Sequence, residues 1–218
     1  MESRKTGLST VIFLAVSAVF VFAAEPVKTI VLPRPQTSGG MPLMQALKER
    51  STSREFSAKD IPAQVLSDLL WAGFGINRAG SGKRTAPSAM NLQEIDIYVA
   101  RSDGLYLYDA KNNSLGLAAP GDIREATGKQ DFVKSAPVNL VYVADFSKMA
   151  KAGEQKEHYA ALDTGFIAEN VYLFCASVGL SSVARGFFDQ QALAKAMKLR
   201  ADQKVILTQT VGYPPEKR

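Results

Sequence analysis

The amino-acid sequence predicts an α+β fold, in which helices surround a β-sheet. Strand-like segments cluster in three regions of the chain, at 95–117, 138–144 and 205–211. Helical segments lie before, between and after these regions, and their apolar surface exceeds what one small sheet can cover. The longest of them, at 159–179, is the helix around which we expect the other elements to pack.

This long helix has an unusual pattern of side chains. The segment contains no proline and is apolar on almost every side, which is typical of a helix buried in a core. Three polar residues, Asp163, Asn170 and Ser177, recur every seven positions and therefore form one narrow polar stripe. The sequence thus predicts a packing helix with a single polar seam.

A helix stop and a loop are predicted directly after this segment. Gly179 suits the left-handed position that ends a helix, with Leu180 folding back towards Cys175. We expect residues 181–187 to form a small-residue loop whose backbone can lie against a flat ligand. The alternative is an ordinary loop that ends a core helix.

The first 23 residues have the pattern of a secretory signal peptide. Arg4 and Lys5 precede an uncharged run at 10–22, and small residues follow it. The run is shorter than a membrane-spanning helix requires, although an uncleaved anchor is an alternative. We therefore expect an exported, periplasmic protein without a membrane span after cleavage. Its mature form would carry a net charge of about +4 and consist of an extended proline-rich arm, 24–42, and one domain, 43–218.

Two prolines are placed where helices begin. Pro42 suits the first turn of a short helix, and Pro62 that of a longer one. The apolar positions after Pro62 recur on one helical face, at Val65, Leu66, Leu69, Leu70 and Phe74. Further along, we expect polar helical structure at 120–135, a charged helix or loop at 146–158 and a short amphipathic helix at 189–199.

The strands are predicted from alternation and turn residues. Residues 95–100 alternate cleanly, and Asp103-Gly104 is a hairpin turn into a second strand at 105–108. A turn at Asn112-Asn113 leads to a weaker strand at 114–117. The strongly apolar segment 138–144 and the segment 205–211 complete the set.

Several function classes lack the residues that they need. The positive charge is spread along the chain and forms no basic stripe for nucleic acid. The only histidine, His158, has neither a second histidine nor a cysteine pair with which to bind a metal ion, so we assign it no role and predict no metal site. Cys175, the only cysteine, lies among apolar residues and is assigned to packing. No nucleophilic triad or paired carboxylates are evident.

Two basic segments suggest an anionic ligand. Arg50 and Arg54 flank three hydroxyl residues, and guanidinium groups with hydroxyls can surround a phosphate, although a solvated helix end is an alternative. The glycine-rich loop 75–86 does not match a phosphate-binding P-loop and is expected to be a mobile rim over a site. Its cations Arg78, Lys83 and Arg84 would either steer an anionic donor or be solvated loop charges.

Five short motifs occur in a fixed order: Arg-x-Thr-x-Arg at 50–54, Pro-Ser-x-x-Asn-x-Gln at 87–93, Gly-Leu after the long helix, Arg-Gly-Phe at 185–187, and a basic terminus after Gly-Tyr-Pro. In this order the sequence, from about residue 43 onwards, resembles the nitroreductase family of FMN-dependent oxidoreductases. It is most similar to the branch with thiazoline- and oxazoline-oxidising dehydrogenases of peptide toxins. The resemblance implies a mainly antiparallel sheet and an obligate homodimer with two FMN sites at the subunit interface, wrapped by the arm and the C-terminal tail.

The resemblance also implies which residues contact FMN. They are Arg50, Thr52, Arg54, Asn91, Gln93, Ala184, Arg185, Gly186, Lys217 and Arg218. The first three match positions that hold the phosphate and ribityl chain, and Lys217 and Arg218 resemble late basic residues that return to the phosphate. Asn91 matches a contact to the polar edge of the flavin ring, and Gln93 continues that motif. Glu94 stands where many family members carry proline.

Catalysis would then depend on the cofactor and on backbone groups. The backbone of Ala184, Arg185 and Gly186 matches the loop that faces the flavin N5 atom, and no protein nucleophile is required. The expected activity is hydride transfer through bound FMN to or from a small organic substrate. Two alternatives remain: a non-catalytic flavin-binding electron carrier, and an interaction module without flavin. An exported enzyme would meet little NADH or NADPH, so we expect a quinol, a protein redox partner or a reduced small molecule as donor.

Overall fold

A computed structural model describes residues 28–216. Its central element is an antiparallel sheet of seven strands. The α-helices are α1 (Leu43–Glu49), α2 (Ala63–Phe74), α3 (Phe132–Ser135), α4 (Lys156–Val178) and α5 (Gln190–Ala196). The strands are β1 (Thr29–Val31), β2 (Ile76–Arg78), β3 (Lys83–Arg84), β4 (Ile95–Arg101), β5 (Gly104–Asp109), β6 (Ser114–Pro120), β7 (Val138–Asp145), β8 (Ser181–Arg185) and β9 (Gln203–Gly212). Short 3-10 helices lie at Ala89–Asn91, Arg124–Thr127 and Phe146–Gln155.

The order of strands in the sheet is β1-β6-β5-β4-β7-β9-β8, and each neighbouring pair is antiparallel. The predicted α+β class with a mainly antiparallel sheet is therefore confirmed. The predicted hairpin is also confirmed, because Arg101 pairs with Gly104 across the turn between β4 and β5. β8 forms one edge of the sheet and β1 the other.

Each face of the sheet is covered by helices. Helices α2 and α4 cover one face, where Leu70 and Ile167 pack in the same buried cluster as Ile97 and Val99 of β4. Helix α5 covers the other face, where Leu193 packs with residues of β4 and β7. The alternation predicted for 95–100 thus places successive side chains of β4 in two different clusters.

Helix α4 ends as the sequence predicts. Gly179 has φ 75°, and the N–H groups of Gly179 and Leu180 both donate to the carbonyl of Cys175, the latter at 2.9 Å. Cys175 is buried, and burial raises the pKa of its thiol to about 12. Its predicted packing role fits this environment. Ser177, in the polar stripe, accepts the N–H of Met41 at 2.6 Å and so fastens the end of the arm to α4.

Two expectations about this region are wrong. Helix α4 is not buried all round in one chain, since Leu162 and Phe166 keep 47% and 49% of their surface exposed. Residues 181–185 are not a loop but the edge strand β8, paired with β9. The small side chains there are compatible with a strand because the sheet on one side and Tyr172 on the other supply hydrogen-bond partners for its backbone.

The described part of the arm, residues 28–42, packs on its own chain. Its residues 29–31 form β1, which pairs with β6, although no packed element was expected there. Beyond β1, Leu32 donates its N–H to Asn113, and the hydroxyl of Ser67 donates to Pro33. The prediction that the arm wraps a partner subunit stays untested.

Part of the glycine-rich loop forms regular structure that the sequence analysis did not predict. β2 and β3 pair as a hairpin, and Arg84 lies opposite Ile76. In the predicted helical region 120–135, the structure has only a 3-10 turn and the four-residue α3. The predicted signal peptide, residues 24–27 of the arm, Lys217 and Arg218 lie outside the described residues. Between residues 28 and 216, no helix is both long and apolar enough to cross a bilayer.

Candidate functional site

Tyr172, on α4, connects two of the segments that the sequence assigns to one site. Its hydroxyl oxygen accepts the backbone N–H of Ala184 at 2.7 Å and lies 3.3 Å from the hydroxyl of Thr52. The guanidinium of Arg50 lies 5.6 Å from the centre of the Tyr172 ring. Sequence analysis missed Tyr172. The sequence contained one indication of this role, a tyrosine on an otherwise apolar helix face. The hydroxyl of a partly buried tyrosine usually has a hydrogen-bond partner.

The outer edge of β8 presents backbone groups to this site. Ser182 accepts the N–H of Ser53 at 3.0 Å, and Ala184 donates to Tyr172, so the even-numbered residues point away from β9. Gly186 follows directly after β8, and a Cβ atom built on it would meet no atom within 4 Å. The strand edge therefore opens into free space at Gly186, where a flat ligand could approach the backbone.

Arg185 points in the opposite direction, into the protein. Its guanidinium donates to the carbonyl of Thr127 at 2.8 Å and to Asn139 at 3.0 Å, and the residue is only 4% exposed. Burial lowers the pKa of this guanidinium to about 10. A Cβ on Gly128 would lie 1.9 Å from it, so glycine is required there for Arg185 to fit. The side chain thus anchors the end of β8, and only its backbone faces the open edge.

The two other arginine positions remain available for an anion. Arg54 is exposed, Arg50 is half-buried, and neither has an ion pair or hydrogen bond from its side chain to another described residue. Together with the Thr52 hydroxyl, they form a group of donors next to the β8 edge.

Asn91 lies in a loop with a strained backbone. Met90, Asn91 and Gln93 have φ values of 52°, 54° and 49°, which non-glycine residues rarely adopt. The amide of Gln93 donates to the Asn91 side-chain oxygen at 3.1 Å, and the Ser88 hydroxyl accepts the Gln93 N–H at 2.9 Å. Gln93 therefore orients Asn91 in this structure.

Arg84 holds this loop through a hydrogen bond to Gln93. Its guanidinium donates to Gln93 at 2.8 Å and to the carbonyl of Phe74 at 2.9 Å, and it lies 4.6 Å from the centre of the Phe74 ring. Arg84 is therefore half-buried and bonded within the protein rather than a solvated loop charge, and its steering role stays a prediction. Arg78 also bonds within the hairpin, to the Arg84 carbonyl. Lys83 is exposed.

Glu94, directly after this loop, is fully buried. Neither of its carboxylate oxygens has a hydrogen bond among the described residues. Burial, with the nearby carboxylate of Asp163 as a further cause, raises the pKa of Glu94 to about 7. Asp163 is 3% exposed and accepts the N–H of Ala89 at 2.8 Å. Two buried carboxyl groups therefore meet between the loop and α4.

The predicted site residues thus fall into two groups in one chain. Arg50, Thr52 and Ala184 meet at Tyr172, whereas Asn91 and Gln93 belong to the strained loop; no hydrogen bond or ion pair among the described residues joins the groups directly. Helix α4 contacts both, through Tyr172 and Asp163.

A small cavity adjoins the first of these groups in the described chain. A cavity beside Tyr172 and Ser182 measures about 60 Å³, too small for a nucleotide. Two cavities of about 670 Å³ are lined by none of the predicted site residues. These two large cavities therefore lie away from the predicted site residues.

Comparison with known proteins identifies the family. The sequence profile described as "Nitroreductase family" matches residues 47–213. The chain belongs to the nitroreductase family. This is also the family that the ordered motifs resemble.

Solved structures agree with this assignment. A protein from Ralstonia eutropha JMP134, described as a nitroreductase, is 44% identical to this nitroreductase-family chain, covers 87% of it over 90% of its own length, and superposes with a TM-score of 0.83. An NADPH:FMN oxidoreductase from Vibrio harveyi, solved with NAD⁺, is 19% identical with a TM-score of 0.59, covers 80% of this chain and 69% of its own, and shows the shared fold alone.

A curated relative comes from Methanocaldococcus jannaschii and is also described as a nitroreductase. It is 27% identical over 169 residues, which are 72% of this chain and 85% of the relative. A microcin synthetase complex from Escherichia coli, solved with a peptide precursor, is 21% identical with a TM-score of 0.67, covering 86% of this chain and 79% of its own. That likeness shows the fold and does not place this chain in the heterocycle-oxidising branch.

Members of the nitroreductase family are typically flavin-dependent oxidoreductases and typically bind FMN. The residues of this chain fit such a group on chemical grounds. Arg50, Arg54 and Thr52 offer cationic and hydroxyl donors suited to a phosphate, and the open backbone at Gly186 leaves room for a flat ring.

Proposed function

We propose that this protein is an FMN-dependent oxidoreductase that transfers a hydride, through bound flavin, to or from a small organic substrate. The observation that carries the proposal is the bond between Tyr172 and Ala184, which places the open strand edge of β8 beside the Arg50–Arg54 segment. When bound, FMN supplies the two-electron chemistry, so the protein has to bind, orient and tune it.

The roles of the residues follow from their positions. Arg50, Thr52 and Arg54 would bind the phosphate and ribityl chain, with Lys217 and Arg218 as further phosphate contacts from outside the described range. A backbone N–H at 184–186 would donate to the flavin N5 atom, and the space beside Gly186 leaves room for the ring. Asn91, oriented by Gln93, would contact the polar edge of the ring.

We also propose a homodimer. Exposed apolar side chains cluster on the two helices that pack together next to the site: Leu43, Met44 and Leu47 on α1, and Leu162, Phe166 and Val178 on α4. A surface of this kind is typical of an obligate interface, which buries roughly 2,000 Å² or more. Because one chain leaves the site open, a second copy would also cover the flavin from the other side.

The donor and location are further parts of the proposal. Export would remove the enzyme from the cytoplasmic NAD(P)H pool, so a quinol, a protein partner or a reduced small molecule would supply electrons.

Oxidation of a thiazoline or oxazoline in a peptide is a narrower version of the same chemistry, supported by the order of the motifs. A flavin-binding electron carrier would bind FMN without turning over a substrate, and an interaction module would bind no flavin.

The visible absorption spectrum of the purified protein, before and after addition of FMN, tests the proposal. A flavin spectrum followed by reduction and substrate-dependent reoxidation supports an oxidoreductase. A protein that remains colourless with excess FMN contradicts it.

Gly186→Ala makes the test specific to the open edge. A methyl group there meets no protein atom within 4 Å, so the apo fold should be unchanged. It would, however, occupy space assigned to the flavin, so FMN binding should weaken at least tenfold. Equal FMN affinity in both forms would remove the β8 edge from the site.

A further inference from the structure

We propose that Glu94 is a positioning residue, which shares one proton with Asp163 and thereby holds the strained loop at 88–93 against α4. The role of this loop towards FMN rests on the function proposed above, whereas the shared proton itself does not. Since Asn91 is in the loop, the protonation state of the pair would control how well the loop is ordered for the flavin.

The hydrogen bonds around the pair show which carboxyl group holds the proton. Asp163 accepts the Ala89 N–H at 2.8 Å, so one of its oxygens already has a backbone donor. Glu94 is 0% exposed and receives no hydrogen bond from the described residues at either oxygen. A buried carboxylate without donors or a cation is costly, whereas its protonated form can donate to a neighbouring carboxylate. Glu94 is therefore the acid and Asp163 the acceptor.

The surrounding charges do not compensate a second negative charge. The charged groups that act on Glu94 are Asp163 from α4 and Lys148 from the 3-10 helix Phe146–Gln155. The Lys148 ammonium is already paired with Asp96 at 2.7 Å, and its side chain is 37% exposed. Two neighbouring buried carboxylates favour sharing a single proton. In agreement with this, the pKa of Glu94 is raised to about 7, mainly by burial.

The loop next to Glu94 is held in a conformation that it would not adopt alone. Three of its residues have positive φ, and such strain persists only when the surroundings enforce it. The enforcing contacts include the bond from Ala89 to Asp163 and the support of Gln93 by Arg84. The carbonyl of Glu94 accepts the N–H of Asp145, which fixes the far end of the loop to β7.

Loss of the shared proton should therefore act on the loop. Repulsion between Glu94 and Asp163 would separate the loop from α4, and the fixed end at Asp145 directs the change towards residues 88–93. The strained φ values would then relax, and Asn91 would lose its orientation. FMN binding should weaken as pH rises through about 7.

The shared proton is tested on the FMN-free protein by thermal unfolding between about pH 5.5 and about pH 8.5. The folded protein holds the Glu94 proton more tightly than the unfolded chain, so the stability of the parent falls as pH rises through this window. Glu94→Gln keeps a hydrogen-bond donor and has no charge to lose. Relative to this variant, the parent should lose about 5–10 °C in Tm across the range. Glu154→Gln, at an exposed position, is the matched control and should follow the parent.

The effect on the loop is tested by titration with FMN at the same pH values. From about pH 6 to about pH 8, the Kd of the parent should rise roughly tenfold relative to that of Glu94→Gln. Ionisation of the FMN phosphate near pH 6 affects both proteins equally and cancels in this comparison.

The outcomes separate the two proposals. Parallel unfolding profiles for the parent and Glu94→Gln would overturn the shared proton. Diverging unfolding profiles with parallel FMN affinities would overturn the positioning role and leave the FMN proposal intact. If no form binds FMN, the proposed function and the flavin role of the loop are both overturned, while the unfolding profiles still decide the proton.

A second measurement covers the case in which Glu94→Gln does not fold. Carbon NMR of the parent, labelled at glutamate carboxyl carbons, should show one carboxyl that titrates near pH 7. Asp163→Asn should lower the pH of that transition, because the neighbouring negative charge is gone. Absence of such a carboxyl would overturn the proposal.

Discussion

The hydroxyl oxygen of Tyr172 accepts the backbone N–H of Ala184 at 2.7 Å. This bond crosses from the long helix to the edge strand of the sheet, and it uses a backbone donor that the sheet itself leaves unpaired. The same hydroxyl lies 3.3 Å from the hydroxyl of Thr52. Tyr172 therefore contacts both the segment proposed to bind the FMN phosphate and the strand proposed to face the flavin ring. The position of the β8 edge relative to Arg50 and Thr52 therefore depends on Tyr172.

Replacing Tyr172 with phenylalanine should loosen this edge. The Ala184 N–H would lose its acceptor, at a cost of about 1–3 kcal/mol in the free energy of unfolding. FMN affinity should fall several-fold because the backbone at 184–186 is less well placed. Chemical denaturation and FMN titration would measure the two effects. Tyr159→Phe, a half-buried tyrosine on the same helix, should change neither; equal effects of the two substitutions would contradict the role of Tyr172.

Arg54→Ala tests the phosphate assignment. Arg54 is exposed and its side chain has no hydrogen bond or ion pair among the described residues, so its removal should leave stability unchanged. Loss of one charge-assisted contact to phosphate should reduce FMN affinity about ten- to hundredfold. The variant should therefore purify largely without colour. Lys151→Ala removes the same charge from an exposed position elsewhere and should bind FMN normally. Unchanged affinity in Arg54→Ala would show that the phosphate lies elsewhere.

Phe166→Asp tests the proposed dimer. Phe166 is 49% exposed on α4, so an aspartate is tolerated in a single chain but would place a charge in an apolar interface. Sedimentation should show a dimer for the parent and a monomer, depleted of FMN, for the variant. Ala118→Asp changes an exposed residue on β6, outside the arm and away from β8 in the sheet, and should remain dimeric. A folded, flavin-loaded parent monomer at micromolar concentration would refute the dimer.

Much of the fold follows from local sequence signals. Alternation along 95–100 predicts β4 because successive side chains of a strand point to opposite faces of the sheet. The glycine at 179 predicts the end of α4 because few other residues accept its φ of 75°. These features depend on short-range geometry and are readable without the fold.

The site is less readable because its geometry is made by distant residues. Strand β8 has few β-branched residues and is a strand only because β9 lies beside it. The inward direction of Arg185 depends on room at Gly128, which is 57 positions away in the chain by residue numbers. The burial of Glu94 likewise depends on α4. In the sequence, Glu94 is only a charged residue beside a strand, and nothing local indicates that it is buried next to Asp163.

The final prediction concerns the location of the protein. The leader-like pattern, with Arg4 and Lys5 before the uncharged run at 10–22, indicates export and cleavage after residue 23. Only one arginine precedes the run where a twin-arginine signal would carry two, so we expect the chain to be exported unfolded and to bind FMN afterwards. The mature protein should then accept electrons from a quinol, a protein partner or a reduced small molecule much faster than from NADPH. Cell fractionation, N-terminal sequencing and rates with each donor measure these points. Cytoplasmic protein that begins at Met1 and oxidises NADPH rapidly would refute both export and the unusual donor, and would leave the FMN site, which the Arg54 and Gly186 variants test separately, unaffected.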